Sequence, residues 1–82
     1  MVMSEQIKMA RAALSWSVEK LAKESAVGVR TIHRIEAQTG FPKATNANLR
    51  LIRETLEAAG IEFIGDAGEG PGVRLWAKPN RP

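Results

Sequence analysis

The sequence contains no cysteine and a single histidine. Without cysteine there is no disulfide, no thiolate nucleophile and no cysteine metal site, and one histidine argues against most zinc and histidine-based catalytic sites. Aromatic residues make up only 5% of the chain, and no apolar run approaches the roughly 18 residues of a membrane-spanning helix. We therefore expect neither an enzyme nor a membrane protein, and no metal, cofactor or small-molecule substrate.

What is present is the composition of one small globular domain. The 82 residues are 44% apolar and 26% charged, which is sufficient for one core and too short for a second domain. A domain of this size buries a modest share of its surface, so oligomerisation is a natural further source of stability. The N-terminus lacks a basic start followed by an apolar stretch, and we expect a cytoplasmic protein.

The spacing of apolar residues predicts four amphipathic helices. Ser4 and Ser17 are suitable N-caps for the first two helices, and Gly60 is a stop signal for the fourth. The second and third helices are short and are separated by the turn Ala26-Val27-Gly28. The predicted helices span residues 4–14, 18–25, 29–37 and 45–59.

The chain then changes to a hairpin pattern, with strands predicted at 61–64 and 73–76. We interpret the glycine-rich loop between them as a turn rather than a phosphate-binding loop, because Asp66 and Glu69 would repel phosphate and no helix follows. Both faces of the hairpin carry apolar side chains, and Ile64 and Trp76 lie on the face that helix four cannot cover. These two residues are the predicted dimer interface.

Basic charge is concentrated between residues 26 and 53, where Arg30, Arg34, Lys43, Arg50 and Arg53 oppose one acid. On a helical wheel the third helix has an apolar face and an opposite basic face. Such a helix can be held on a scaffold while its arginines reach phosphates and base edges in a DNA groove. The alternative is an ordinary solvated basic face.

The residues Leu21-Ala22, Val27, Thr31-Ile32 and Arg34-Ile35-Glu36 resemble the helix-turn-helix pattern of the Cro and lambda-repressor-like transcriptional regulators, the XRE family. The resemblance covers roughly residues 5–59. It implies a mainly α fold, a four-helix lambda-repressor-like DNA-binding domain over 1–60, with residues 61–82 adding a C-terminal β-hairpin and tail as a dimerisation element of the same domain. The helix at about 29–37 is then the recognition helix.

The family pattern also assigns the predicted DNA contacts. Bases are read by Val29, Arg30 and Arg34, with Thr31 and His33 as flanking candidates, and phosphates are bound by Ser17, Lys43, Thr45 and Asn46. Structural alternatives stay open for these residues. Val29 is alternatively a valine at the edge of the core, Thr31 and His33 have no DNA role, and the loop from Thr39 to Asn46 is simply solvated. The chain has Ala26 where the family often has glycine, and Val18 where it often has glutamine. The phosphate contact of that glutamine is therefore either missing or shifted to the backbone amides near Ser17 and Val18.

Glu36 is turned inward on the wheel beside Ile32 and Ile35, where an unpaired carboxylate would be costly. Arg11 lies at the edge of the buried face of the first helix, and the family resemblance pairs these two positions. A structural salt bridge between Arg11 and Glu36 is therefore predicted.

The expected function is sequence-specific DNA binding by a nucleoid-associated transcriptional regulator, as a homodimer on a palindromic operator. The alternative from another class is a protein-interaction adaptor, or the antitoxin of a toxin–antitoxin pair, that uses the same fold.

Overall fold

The computed structural model describes residues 2–76, in which four helices are followed by one antiparallel two-stranded hairpin. This agrees with the predicted mainly α class and helix order. None of the described helices is long and apolar enough to cross a bilayer. The predicted tail, 77–82, lies outside the described residues. The elements are α1 (Ser4–Leu14), α2 (Val18–Ser25), α3 (Val29–Glu36), α4 (Asn46–Ala58), β1 (Ile61–Ile64) and β2 (Gly72–Leu75).

Local capping explains where most helices begin. The Ser17 hydroxyl accepts a hydrogen bond from the Lys20 amide at 3.0 Å, and the Thr45 hydroxyl accepts one from the Asn48 amide at 3.2 Å. These bonds satisfy amides that have no partner inside the helix. Helices α3 and α4 are slightly shorter than predicted, because Ala37, Thr45 and Ala59 are caps rather than helical residues.

The predicted N-cap of α1 is wrong. The cap is Met3, whose amide donates to the Gln6 side-chain oxygen at 2.9 Å. Ser4 instead lies in the first turn, fully buried, and its hydroxyl donates to the carbonyl of Ile35 at 2.8 Å. The Ser4 amide also donates to the carbonyl of Gly40 at 2.8 Å. Ser4 therefore ties the start of α1 to the end of α3 and the loop that follows.

One continuous core joins all four helices to the hairpin. Helix α1 packs against α3, α4 and β2, helix α2 packs against α3 and α4, and β1 lies on α4. Every buried side-chain nitrogen and oxygen within the described residues has a hydrogen-bond partner. The buried apolar residues are Ile7, Ala10, Val18, Leu21, Val27, Ile32, Ile35, Ile52, Leu56 and Ile61.

The hairpin is fixed to α1 by the amide group of Gln6, which donates to the carbonyls of Ile64 at 3.2 Å and Gly72 at 3.0 Å. These two carbonyls belong to paired residues at the loop end of the hairpin. An isolated two-stranded hairpin is marginal in water. The Gln6 bonds and the packing on α1 and α4 therefore supply the support that the strands lack alone.

A glycine and an aspartate determine the shape of the hairpin loop. Gly65 has a φ of +75°, and a side chain there would meet the carbonyl oxygen of Gly70 at 2.6 Å, so glycine is required. The Asp66 carboxylate accepts hydrogen bonds from the amides of Gly68 and Glu69, both at 2.9 Å. These amides are occupied by the loop's own carboxylate, which leaves them unsuited to an anion.

The second strand begins and ends one residue earlier than predicted. Trp76 follows β2, and its amide donates to the carbonyl of Gly60 at 2.9 Å. The apolar residue of this strand that is most exposed is Leu75, at 49%. Leu75 pairs with Ile61 at the end of the hairpin. The covering helices shield Ile61 and leave Leu75 half outside.

The predicted ion pair between Arg11 and Glu36 is present. Arg11 donates from Nε and Nη2 to the two carboxylate oxygens, each at 2.7 Å, and from Nη1 to the carbonyl of Trp16 at 2.9 Å. The side chains are 21% and 9% exposed. The hydrogen bond to Glu36 raises the pKa of Arg11 against the lowering effect of burial, so Arg11 stays charged. One arginine thereby holds together α1, the segment before α2, and α3.

Glu36→Gln should lower the free energy of unfolding by about 3 kcal/mol, because it leaves the part-buried charge of Arg11 without its counter-ion. The matched control is Glu24→Gln in the exposed Lys20–Glu24 pair, which should cost less than about 1 kcal/mol. Urea unfolding followed by circular dichroism measures both. Equal losses would show that burial of the Arg11–Glu36 pair does not matter.

Candidate nucleic-acid interface

Helix α3 presents a basic face to solvent because its opposite face is anchored in the core. Ile32 and Ile35 are 0% and 1% exposed. Arg30 and Arg34, on the other side of the helix, are both exposed, and so is His33. Backbone and core packing therefore fix the helix, while its arginine side chains are free to meet a ligand.

Four of the predicted contact residues meet at one surface depression between α3 and the start of α4. Its lining includes Thr31 and Arg34 from α3, Lys43 from the loop, and Thr45 and Asn48 at the beginning of α4. Arg34 Nη2 lies 3.5 Å from the Thr31 hydroxyl oxygen. Apart from Ile35 and Ala44, all the lining side chains are polar or basic, and none is acidic. This depression, named here the α3–α4 depression, suits an anion.

Gln38 sets the position of the loop beside α3, and the sequence analysis missed it. Its side-chain oxygen accepts from the amide of Lys43 at 2.8 Å. Its side-chain nitrogen donates to the carbonyls of Arg34 at 3.2 Å and Lys43 at 3.4 Å. The three bonds hold Lys43 next to the end of α3. The available signal was a glutamine two residues after a basic helix and just before a Gly-x-Pro loop.

The remaining predicted contacts do not line this depression. Ser17 and Asn46 are exposed at the first turns of α2 and α4. Val29 is half-buried and packs against the core, which is the structural alternative considered for it. Thr31 is also half-buried. Ser17 and Thr45 accept helix-capping bonds and retain their hydroxyl protons for donation to another group.

Electrostatics favour an external anion at this face. Within residues 2–76 the ion pairs are Arg11–Glu36, Lys20–Glu24 and Arg74–Glu62. Arg30, Arg34 and Lys43 take part in none of them. The basic side chains of the face are therefore not neutralised by the rest of the described chain, so they keep their attraction for phosphate.

The turn between α2 and α3 contains a residue in an unfavourable backbone conformation. Ala26 has φ 63° and ψ 18°, the left-handed region in which a Cβ is crowded by the following carbonyl. Gly28, the cap of α3, has φ −63°, which any residue can adopt. The residue that needs glycine's freedom in this turn is therefore Ala26.

The predicted dimer residues lie on the outer face of the hairpin. Ile64 is the last residue of β1, and Trp76 directly follows β2. Ile64 and Trp76 are both half-buried. The indole nitrogen of Trp76 donates to Glu62 at 2.9 Å, and the Arg74 guanidinium lies 5.8 Å from the Trp76 ring centroid. Trp76 is thus partly covered by its own chain, which leaves its apolar ring less available than the sequence suggests.

No model of a known protein family matches this chain, and no curated protein matches it either. The part of the chain seen in the structure contains no group of three His, Cys, Asp or Glu side chains placed to hold a metal ion. The basic face of α3 and the α3–α4 depression are the features on which a function can be argued.

Ala26→Gly should raise the free energy of unfolding by about 0.5–1 kcal/mol, since glycine removes the crowding at a positive φ. Ala37→Gly is the matched control: Ala37 is also an exposed cap, but its φ is −76°, so glycine there should destabilise by about 0.5–1 kcal/mol through chain entropy. Thermal and urea unfolding check the opposite signs. Changes of the same sign would contradict the left-handed conformation of Ala26.

Proposed function

We propose that this chain is a sequence-specific DNA-binding transcriptional regulator with a lambda-repressor-like arrangement, in which α2 and α3 form the helix-turn-helix. The observation that carries the proposal is the outer face of α3. Arg30 and Arg34 are exposed and form no ion pair with the described residues 2–76, on a helix whose inner residues, Ile32 and Ile35, are fully buried. A rigidly held helix with outward arginines is suited to reading a major groove.

In this proposal Arg30 and Arg34 read base edges. Arginine can donate two parallel hydrogen bonds to guanine, which makes it the most common side chain for direct readout. Val29 contacts a thymine methyl group from the first turn of α3, and Thr31 and His33 contact flanking positions. The partial burial of Val29 limits it to a contact made by close approach of the helix.

In this proposal phosphates are bound by Ser17, at the start of α2, and by Lys43, Thr45 and Asn46, in the loop and first turn that lead into α4. The α3–α4 depression supports this assignment, because it places Lys43 and Thr45 beside Arg34. The Gln38 bonds that hold the loop in place reduce the entropy lost on binding. Phosphate contacts of this kind give affinity that falls with salt.

We further propose that the protein acts as a homodimer through the outer face of its hairpin, near Ile64 and Trp76. The strands have unpaired edges, and Leu75 leaves additional apolar surface exposed beside them. Two-fold symmetry would place two copies of α3 in successive major grooves, about 34–36 Å apart. A palindromic binding site is the consequence.

Selection from random duplex DNA, at a stated salt concentration, should enrich a palindrome with half-sites about one helical turn apart. Absence of any enriched sequence would overturn the regulator and favour the alternative function, a protein-interaction adaptor or antitoxin.

On the selected sequence, Arg34→Gln should weaken binding by about 1–3 kcal/mol and relax specificity at one base position. Lys43→Gln should weaken binding to all sequences and reduce the salt slope by about 1. Arg53→Gln is the matched control, since Arg53 is exposed on α4 and lies outside the α3–α4 depression. Fluorescence anisotropy measures the affinities, and equal losses for Arg34 and Arg53 would refute direct readout.

The dimer has its own test. Light scattering at micromolar concentration should give twice the chain mass, and Trp76→Ala should shift it toward the monomer because an apolar ring is lost from the interface. Phe41→Ala is the control, as Phe41 is an aromatic residue 48% exposed in the loop after α3. A wild-type monomer, or dissociation by Phe41→Ala alone, would rule out the hairpin interface.

A further inference from the structure

The loop between α3 and α4, residues 37–45, is attached to the first turn of α1 as well as to α3. The carbonyl of Gly40 accepts a hydrogen bond from the Ser4 amide at 2.8 Å. The amide of Gly40 donates to the two carboxylate oxygens of Glu5, at 3.0 Å and 3.3 Å. Both backbone groups of one loop residue are therefore held by two successive residues of α1.

This attachment lies three residues before Lys43, which the proposed function places on a DNA phosphate. Pro42, between Gly40 and Lys43, is buried. The amide of Lys43 donates to the Gln38 side chain at 2.8 Å, and the Gln38 side chain donates to the carbonyl of Arg34 at 3.2 Å. Gln38 thus attaches the loop to α3 and Glu5 attaches it to α1, so the segment that carries Lys43 is fixed to two helices.

A carboxylate at this place opposes the charge of the surface that it supports. Glu5 forms no ion pair among residues 2–76, so no cation neutralises it there. A negative charge attached to a basic face reduces the attraction of that face for a polyanion. Glu5 does have a favourable place in the first turn of α1, but Glu19 has the same place in α2 without any bond to the loop. The feature specific to Glu5 is its bond to Gly40.

We propose that Glu5 is a positioning residue for DNA binding, which acts through Gly40 to hold the loop so that Lys43 meets a phosphate. This inference rests on the proposed function. A loop that is held before binding loses less entropy when the DNA orders it. The role requires an acceptor oxygen rather than a charge, because the side-chain oxygen of glutamine also accepts from a backbone N–H.

The two effects of removing Glu5 have opposite signs, which makes the role testable. Glu5→Ala should weaken binding to the selected DNA about threefold, because the loop must then be ordered on binding. Loss of the negative charge alone would instead tighten binding to a polyanion. Glu5→Gln keeps the acceptor oxygen, so it should bind at least as tightly as the wild type. Fluorescence anisotropy at one salt concentration measures all three proteins.

Two results of that experiment would overturn the proposal. One is a Glu5→Ala variant that binds as tightly as the wild type or more tightly, and the other is equal weakening in Glu5→Gln. Glu19→Ala is the matched control, since Glu19 is the second residue of α2 as Glu5 is of α1. It should not weaken binding. A loss equal to that of Glu5→Ala would reject a role of the loop bond.

A double variant tests whether Glu5 acts through Lys43. Lys43→Gln alone should reduce the salt slope by about 1. The same change made in the Glu5→Ala protein should reduce the slope by less, because the Lys43 contact is already weakened and the two effects are then not additive. Fully additive effects would show that Glu5 does not position Lys43, and would contradict the proposal.

Amide hydrogen exchange of the ¹⁵N-labelled full chain, without DNA, separates this proposal from the proposed function. The Gly40 amide should exchange faster in Glu5→Ala than in the wild type, and Glu5→Gln should restore slow exchange. Unchanged exchange in Glu5→Ala would overturn the inference about Glu5 alone. A wild-type protein that shows the expected exchange but binds no DNA would overturn the proposed function, and with it the role of Glu5 in binding.

Discussion

The buried ion pair between Arg11 and Glu36 is the interaction on which the relative positions of α1 and α3 depend. Its two parallel hydrogen bonds fix both the distance and the orientation of the two side chains. The third bond, to the carbonyl of Trp16, extends the constraint to the segment that leads into α2. A pair of this kind adds little net stability compared with apolar packing, but any arrangement that separates its members leaves a charge buried. It therefore selects one helix arrangement among those that the core alone would permit.

The exposed face of α3 follows from this constraint. Glu36 and the neighbouring isoleucines occupy the inner side of the helix, so Arg30 and Arg34 must lie on the outer side. Ser4 adds a second anchor at the end of α3, through its bond to the carbonyl of Ile35. Gln38 then fixes the following loop to the same helix end. The position of the basic residues is thus determined by polar bonds on the hidden side of the helix.

Sequence reasoning predicted the features that depend on local order. Helix positions follow from apolar spacing and from caps such as Ser17, which acts within three residues. Glu36 was found because a carboxylate on an apolar face requires a partner. Ser4 and Gln6 were missed as anchors, since their partners are backbone carbonyls 31 to 66 residues away. Such bonds leave no periodic signal, although Ser4 is three residues before the buried Ile7, and a polar residue on an apolar stripe is itself a sign of a hidden partner.

The charges of α4 add a final argument, because they oppose the helix dipole. Helices α1 and α2 carry an acidic residue in the first turn and a basic one in the last, the favourable arrangement. Helix α4 has neither, and Glu57 lies in its last turn. Each misplaced charge costs roughly 0.3–1 kcal/mol at an exposed helix end. The first turn of α4, which follows Lys43, carries no acidic side chain, and Glu54 and Glu57 lie in the second half of the helix. This separation does not stabilise the helix, and it keeps the acidic side chains of α4 out of the lining of the basic α3–α4 depression.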